Sequence, residues 1–84
     1  MRVESLNDPF GGAFDITPDD DNNLTGGNGG ATNVYVGASG DLKVTTSLGD
    51  TVTFKSIPTG TLLPIRVLKV FSSGTDASEI IGLY

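Results

Sequence analysis

From Thr32 onward, apolar residues alternate with polar ones, and Gly, Asp and Pro punctuate the runs. "NVYVG" sets Val34 and Val36 on one face and "DLKVTTS" sets Leu42 and Val44 on one face, the period-two spacing of half-buried strands. The odd loop "ASG" predicts that these two sets meet across an antiparallel pair, with Gly40 in the left-handed third position. By the same reasoning "LGD" predicts Val44 opposite Phe54 and Thr46 opposite Val52, with Asp50 left-handed. In "IPTG", Pro58 pre-sets the first turn angle and Gly60 closes a type I turn. That turn would pair Ser56 with Thr61, Phe54 with Leu63 and Val52 with Ile65. "SSGTD" breaks the chain, and "EIIGLY" reads as a terminal strand. The pattern predicts an all-β fold, a small antiparallel meander of about five to six strands curled into a barrel or sandwich. Its expected core face is Val34, Val36, Leu42, Val44, Val52, Phe54, Leu63, Ile65, Val67 and Phe71.

The run "IPTGTLLPIRVLKVF" departs from this alternation. Its odd positions face the expected core, yet its even positions Leu62, Pro64, Arg66, Leu68 and Val70 are also mostly apolar. Pro64 cannot donate to a ladder, so it marks an edge, a bulge or a bend. An edge with an apolar outer face invites aggregation unless something covers it. The cover is either the chain's own N-terminal arm or a neighbouring subunit, and the lack of any other stapling device favours the neighbour. Leu62, Leu68 and Val70, with Ile80 and Tyr84 of the end strand, are the candidate subunit contacts. Tyr35 points away from Val34 and Val36 and joins them, since aromatics placed this way are enriched at interfaces.

Residues 1–31 are richer in Gly, Asp and Asn ("DPFGG", "TPDDDNN", "GGNGG") and predict an extended arm with one short strand at Ala13–Thr17. Residues 32–84 form the β domain. The arm, with Phe10 and Phe14 as its candidate contacts, would dock on a larger surface or clamp a neighbouring copy. A chain lacking residues 1–20 is expected to fold and to lose that docking.

Composition sharpens the picture. A chain of 84 residues makes one small domain that buries only about 60–65% of its unfolded surface. With no Cys and no His, disulfides and thiolate or imidazole metal sites are out of reach, which leaves oligomerisation as the stabilising route. The net charge is −5, from five Lys and Arg against ten Asp and Glu. Such a chain does not neutralise nucleic-acid phosphates or seek an anionic membrane. "MRVESLNDPFGG" has no apolar core of a secretion signal, so the expectation is synthesis and retention in the cytoplasm until assembly.

Without His there is no Ser-His-Asp or Cys-His constellation, and the acids lie mostly in the arm and turns. The expectation is a protein that is not an enzyme and holds no cofactor. "GGNGG" and "GASGD" match neither phosphate-loop spacing and precede no helix. "DDDNN" is the best metal candidate, because Asp19, Asp21 and Asn23 occupy alternate positions as in a calcium loop. Leu24 stands where the sharp-turn Gly belongs and Gly30 where the closing Glu belongs. A solvated acidic turn is the expected reading, with docking onto a basic partner surface as the alternative.

Taken in order, "DITPDDDNNL", "VYVGASGDLKVTT" and "GDTVTFKSIPTGTLLPIRVLKVFSSGTDASEIIGLY" resemble the head spike base family of tailed phages and gene transfer agents. The likeness runs from Asp15 to Tyr84 and is carried by spaced turn and strand residues, not by a catalytic signature. In this chain the insert "TGGNGGATN" lengthens the link between the arm and Tyr35. The resemblance implies a virion structural protein on the outer capsid surface, a homo-oligomer (ring or trimer) bound to the major capsid protein and carrying a head fibre or spike. A capsid decoration, or cement, protein without a fibre is the alternative. A monomeric sugar-binding module is the more distant rival, and two Tyr and four Phe give it few aromatics to spare.

Overall fold

The structure, a computed structural model, describes residues 11–84 apart from Asn28. Seven strands follow one another: β1 (Ala13–Asp15), β2 (Asn33–Ala38), β3 (Gly40–Thr46), β4 (Thr51–Ile57), β5 (Thr61–Leu63), β6 (Val67–Val70) and β7 (Ser78–Leu83). They form a four-stranded antiparallel sheet in the order β1-β7-β2-β5 and a three-stranded one in the order β4-β3-β6. The fold is all-β and sandwich-like, and among the described residues there is no helix.

The strands pair differently from a meander. β2 and β3 do not form a hairpin: they belong to different sheets and are joined by Ser39 alone. Gly40 is the corner, with φ 149°; a Cβ there would lie 2.5 Å from the Ala77 amide nitrogen. Three further stretches make the same crossing, the loop from β6 to β7 among them. "PTG" carries the chain from β4 to β5, which pairs with β2, so Phe54 does not face Leu63 across a ladder. "PIR" carries it back from β5 to β6, with Pro64 at the bend.

The β3–β4 turn is a hairpin, but its register is two residues away from the expected one. Val44 faces Val52 and Leu42 faces Phe54. Gly49, at φ 95°, takes the left-handed position assigned to Asp50, whose carbonyl accepts the Thr46 N–H at 2.8 Å. A shift of two keeps the same side chains on each face.

The core gathers Ile16, Ala31, Val34, Val36, Leu42, Val44, Ile57, Val67, Val70, Ala77 and Ile80, with Phe14, Leu24, Phe54, Leu63 and Ile65 packed around it. Val70 is therefore an interior residue, not an outer contact. The β3–β6 ladder slips between Thr45 and Thr46, so that Val67 and Val70 both turn inward. Phe71 is only half-buried, with the Lys43 and Lys69 ammonium groups 4.7 and 4.8 Å from its ring centroid. Ile80 is buried as well, and its neighbour Ile81 faces out.

The described part of the arm covers the apolar strand. Along β6, the Asp19 N–H donates to the Val70 carbonyl (2.8 Å) and the Leu24 N–H to the Leu68 carbonyl (2.7 Å), and Ala31 and Val67 exchange a reciprocal pair. Meanwhile β1 adds to β7 and sends Ile16 into the core. The expected neighbour on this edge is thus the chain's own arm. Residues 12–20 are structural, so a chain without residues 1–20 loses a strand and a core side chain.

Candidate interaction surface

Directly opposed residues in an antiparallel ladder share a face, so the registers show what the four-stranded sheet presents outward. Val34 and Val36 point inward, which turns Asn33 and Tyr35 outward. Asp15 faces Ile81, Ile81 faces Tyr35, and Tyr35 faces Leu62, giving one row across all four strands. A second row runs Ala13, Leu83, Asn33. Leu62 is 47% exposed and Tyr35 39%. Ile81, Tyr35 and Leu62 thus set an apolar row on the face that a half-buried strand ordinarily fills with polar residues.

Among the residues proposed from sequence, the structure brings Leu62 and Tyr35 together on this face. Leu68 is half-buried at the arm's edge. Tyr84 is exposed on one side and packs its ring on Phe14 at 5.9 Å between centroids. Val70 and Ile80 lie in the core. Phe10 falls outside the described residues. Ile81 completes the row and was missed, because "EIIGLY" does not say which isoleucine faces in.

Phe14 and Tyr84 also explain the Gly-rich stretch. A Cβ on Gly26 or Gly82 would come within 2.5 or 2.6 Å of the Phe14 ring, and one on Gly12 within 2.5 Å of the Tyr84 ring. "GGNGG" belongs to a packed turn, in which Gly29 and Gly30 both donate to the Gly26 carbonyl. Beside it lies an open groove of about 360 Å³ bounded by Phe14, Asp15, Thr17, Asp19 and Leu24.

The acidic turn is a structural staple. Asp20 accepts the N–H groups of Ser72 and Ser73, both at 2.9 Å, and the Ser73 hydroxyl at 2.6 Å, tying the arm to the β6–β7 loop. The Ser73 hydroxyl, followed by its N–H, holds the Asp20 carboxyl below the ordinary aspartate value. Asp19 accepts from the Asn22 side chain and the Asp21 N–H, and these two lower its pKa in that order. Asp21 and Asn23 are exposed, and among the described residues no three His, Cys, Asp or Glu gather to hold a metal ion. Asp41 plays the same stapling part on the other sheet. It accepts the Ser56 N–H at 2.8 Å, the main cause of its lowered pKa, and touches Lys55 at 3.4 Å.

This fold, arm included, has a counterpart among solved structures. The chain is similar to one in the capsid of a native gene transfer agent (GTA) particle. The TM-score is 0.80 at 28% identity, and each chain is covered in full. That capsid was computed with C5 symmetry. Full coverage brings the arm as well as the β domain into the likeness. The sequence matches no protein-family model and no curated protein.

Proposed function

We propose that this chain is a structural, non-catalytic component of a phage-like particle, held on the outer surface of its capsid. There it forms an oligomeric base through which a head spike or fibre attaches to the major capsid protein. The observation that carries the reading is the end-to-end structural likeness to a chain of the GTA capsid. A capsid computed with C5 symmetry is compatible with a ring at a five-fold vertex. The outward row Ile81, Tyr35 and Leu62 is the surface offered to the capsid or the spike. Interface cores favour such aromatic and aliphatic side chains.

The test is to mix the purified chain with particles assembled without it and to follow co-sedimentation and spike retention. Saturable binding that also restores the spike supports the reading. Saturable binding with spike content unchanged moves the assignment to a cement protein. No binding overturns both.

A further inference from the structure

The two sheets have four outer edges, and they are not equally protected. β6 is covered by the arm, and β5 is three residues long and runs into Pro64. β4, with seven residues, no Pro and a single charge at Lys55, lies at the edge of the three-stranded sheet. The Lys43 carbonyl accepts the Phe71 N–H, and the Lys43 N–H donates to the Thr75 hydroxyl. Thr53, directly opposite Lys43, therefore turns its own N–H and C=O away from β3, and by alternation so does Thr51. Val52 shares the core-facing side with the fully buried Val44, yet it is 41% exposed. Among the described residues, unpaired ladder groups and an uncovered core-facing side chain thus occur on one edge.

β1 is the outer edge of the other sheet. Gly12 and Tyr84 exchange both backbone hydrogen bonds, so by alternation Ala13 and Asp15 present theirs to the outside. The groove of about 360 Å³ runs beside this strand. The two edges complement each other in charge and in face. β4 shows Thr51, Thr53 and Lys55 outward and Val52 and Phe54 inward. β1 shows Ala13 and Asp15 outward and Phe14 inward. Lys55 lies 3.4 Å from Asp41 of its own chain, yet its side chain is 75% exposed and within reach of a second carboxylate.

We infer that β4 of one copy pairs with β1 of the next, in a register that sets Lys55 beside Asp15 of the neighbour. The two edges are different, so the contact is heterologous and propagates head to tail, closing into a ring where the rotation allows. Strand addition at an exposed edge supplies backbone hydrogen bonds for affinity and side-chain parity for register. The inference takes from the proposed function only that the chain acts as an oligomer.

The experiment is sedimentation of the purified full chain at micromolar concentration, without particles, alongside three kinds of variant. Wild type is expected to sediment as an oligomer. Thr53→Pro leaves the β3 ladder intact and removes an outward N–H. It is expected to stay folded and to assemble about tenfold more weakly, the loss of one strand hydrogen bond with its acceptor left unpaired. Lys55→Glu and Asp15→Lys are each expected to weaken assembly, and the double variant to recover it, a readout that misfolding does not mimic. Wild type that stays monomeric overturns the inference, and slow exchange of the Thr51 and Thr53 amides in that monomer would show the edge covered within the chain. Assembly unchanged by Thr53→Pro and by both charge variants also overturns it. A monomer that still decorates particles sinks only this pairing; a ring that binds no particle sinks only the capsid role.

Discussion

Gly82 gives a sharp test of how the arm is held. It lies on the core-facing side of β7 opposite Phe14, and a Cβ there would come 2.6 Å from Phe14 Cζ, 2.7 Å from Cε1 and 3.0 Å from the Ala31 Cβ. The ring is wedged between β7 and the Gly26 turn, which leaves it little room to give way. Gly82→Ala is therefore expected to cost about 1–3 kcal/mol, the usual range for overpacking. Phe14→Ala removes the wedge from a half-buried site and should cost about 3 kcal/mol, at the low end for a lost ring. In the Phe14→Ala background the ring is gone and only the Ala31 Cβ, 3.0 Å away, still crowds the alanine at 82. There it should be close to neutral, because the remaining crowding is offset by the restriction of the unfolded chain, about 0.4–1 kcal/mol.

The two changes therefore couple by about 1–3 kcal/mol, well beyond the scatter of independent sites. Urea unfolding followed by far-ultraviolet circular dichroism, at one fixed protomer concentration, measures all four corners of the cycle. A domain of this size loses roughly 4–8 °C of melting temperature per kcal/mol, so thermal scans offer a second reading. Gly11→Ala, with nothing within 4 Å of its added Cβ, is the neutral control. The reasoning fails if Gly82→Ala is as stable as wild type, or if its penalty is the same with and without the Phe14 ring.

Removing residues 1–20 should leave a chain with little cooperative unfolding, because β1, Phe14 and Ile16 go with them; a sigmoidal urea transition close to that of the full chain would contradict this. Asp19, Asp20 and Asp41 all have folded-state pKa values below 3.8. The unfolded chain thus binds more protons around that pH, and their stabilisation, fully present above it, is lost as pH falls through the folded values. Asp20→Asn should flatten the acid limb of stability against pH, and an unchanged slope would count against the Ser72–Ser73 staple. Leu62→Glu, on the outward row, should unfold like wild type and yet lose particle binding by tenfold or more, about 1.4 kcal/mol or above. Undiminished binding would remove that face from the contact.

The fold class was legible because turn residues and alternation are local signals. Val34, Val36, Leu42 and Val44 turned inward as their spacing indicates. The connectivity was not legible, because a three-residue loop serves equally well as a hairpin or as a corner between sheets. Gly40 decides for a corner through its closeness to Ala77, a contact between residues far apart in sequence. The inward turn of Val70 depends on a slip in the β3–β6 ladder, and no strand's own sequence records that slip. Pro64 did announce a bend, which falls where β5 ends and the chain leaves for the other sheet. Of the candidate surface, Leu62 and Tyr35 were visible as apolar residues on the wrong parity. Asp20 looked like one more acid in a polar run, because its partners Ser72 and Ser73 are more than fifty residues away.

The proposed role puts this chain on the outside of a capsid as an oligomer. The most direct measurement is a difference map between particles assembled with and without it, reconstructed without imposing icosahedral averaging at the vertices. Added density of this sandwich is expected on the outer surface, in a ring around the vertex beneath the spike. Identical particles in the two maps, or density confined to the interior, would contradict it.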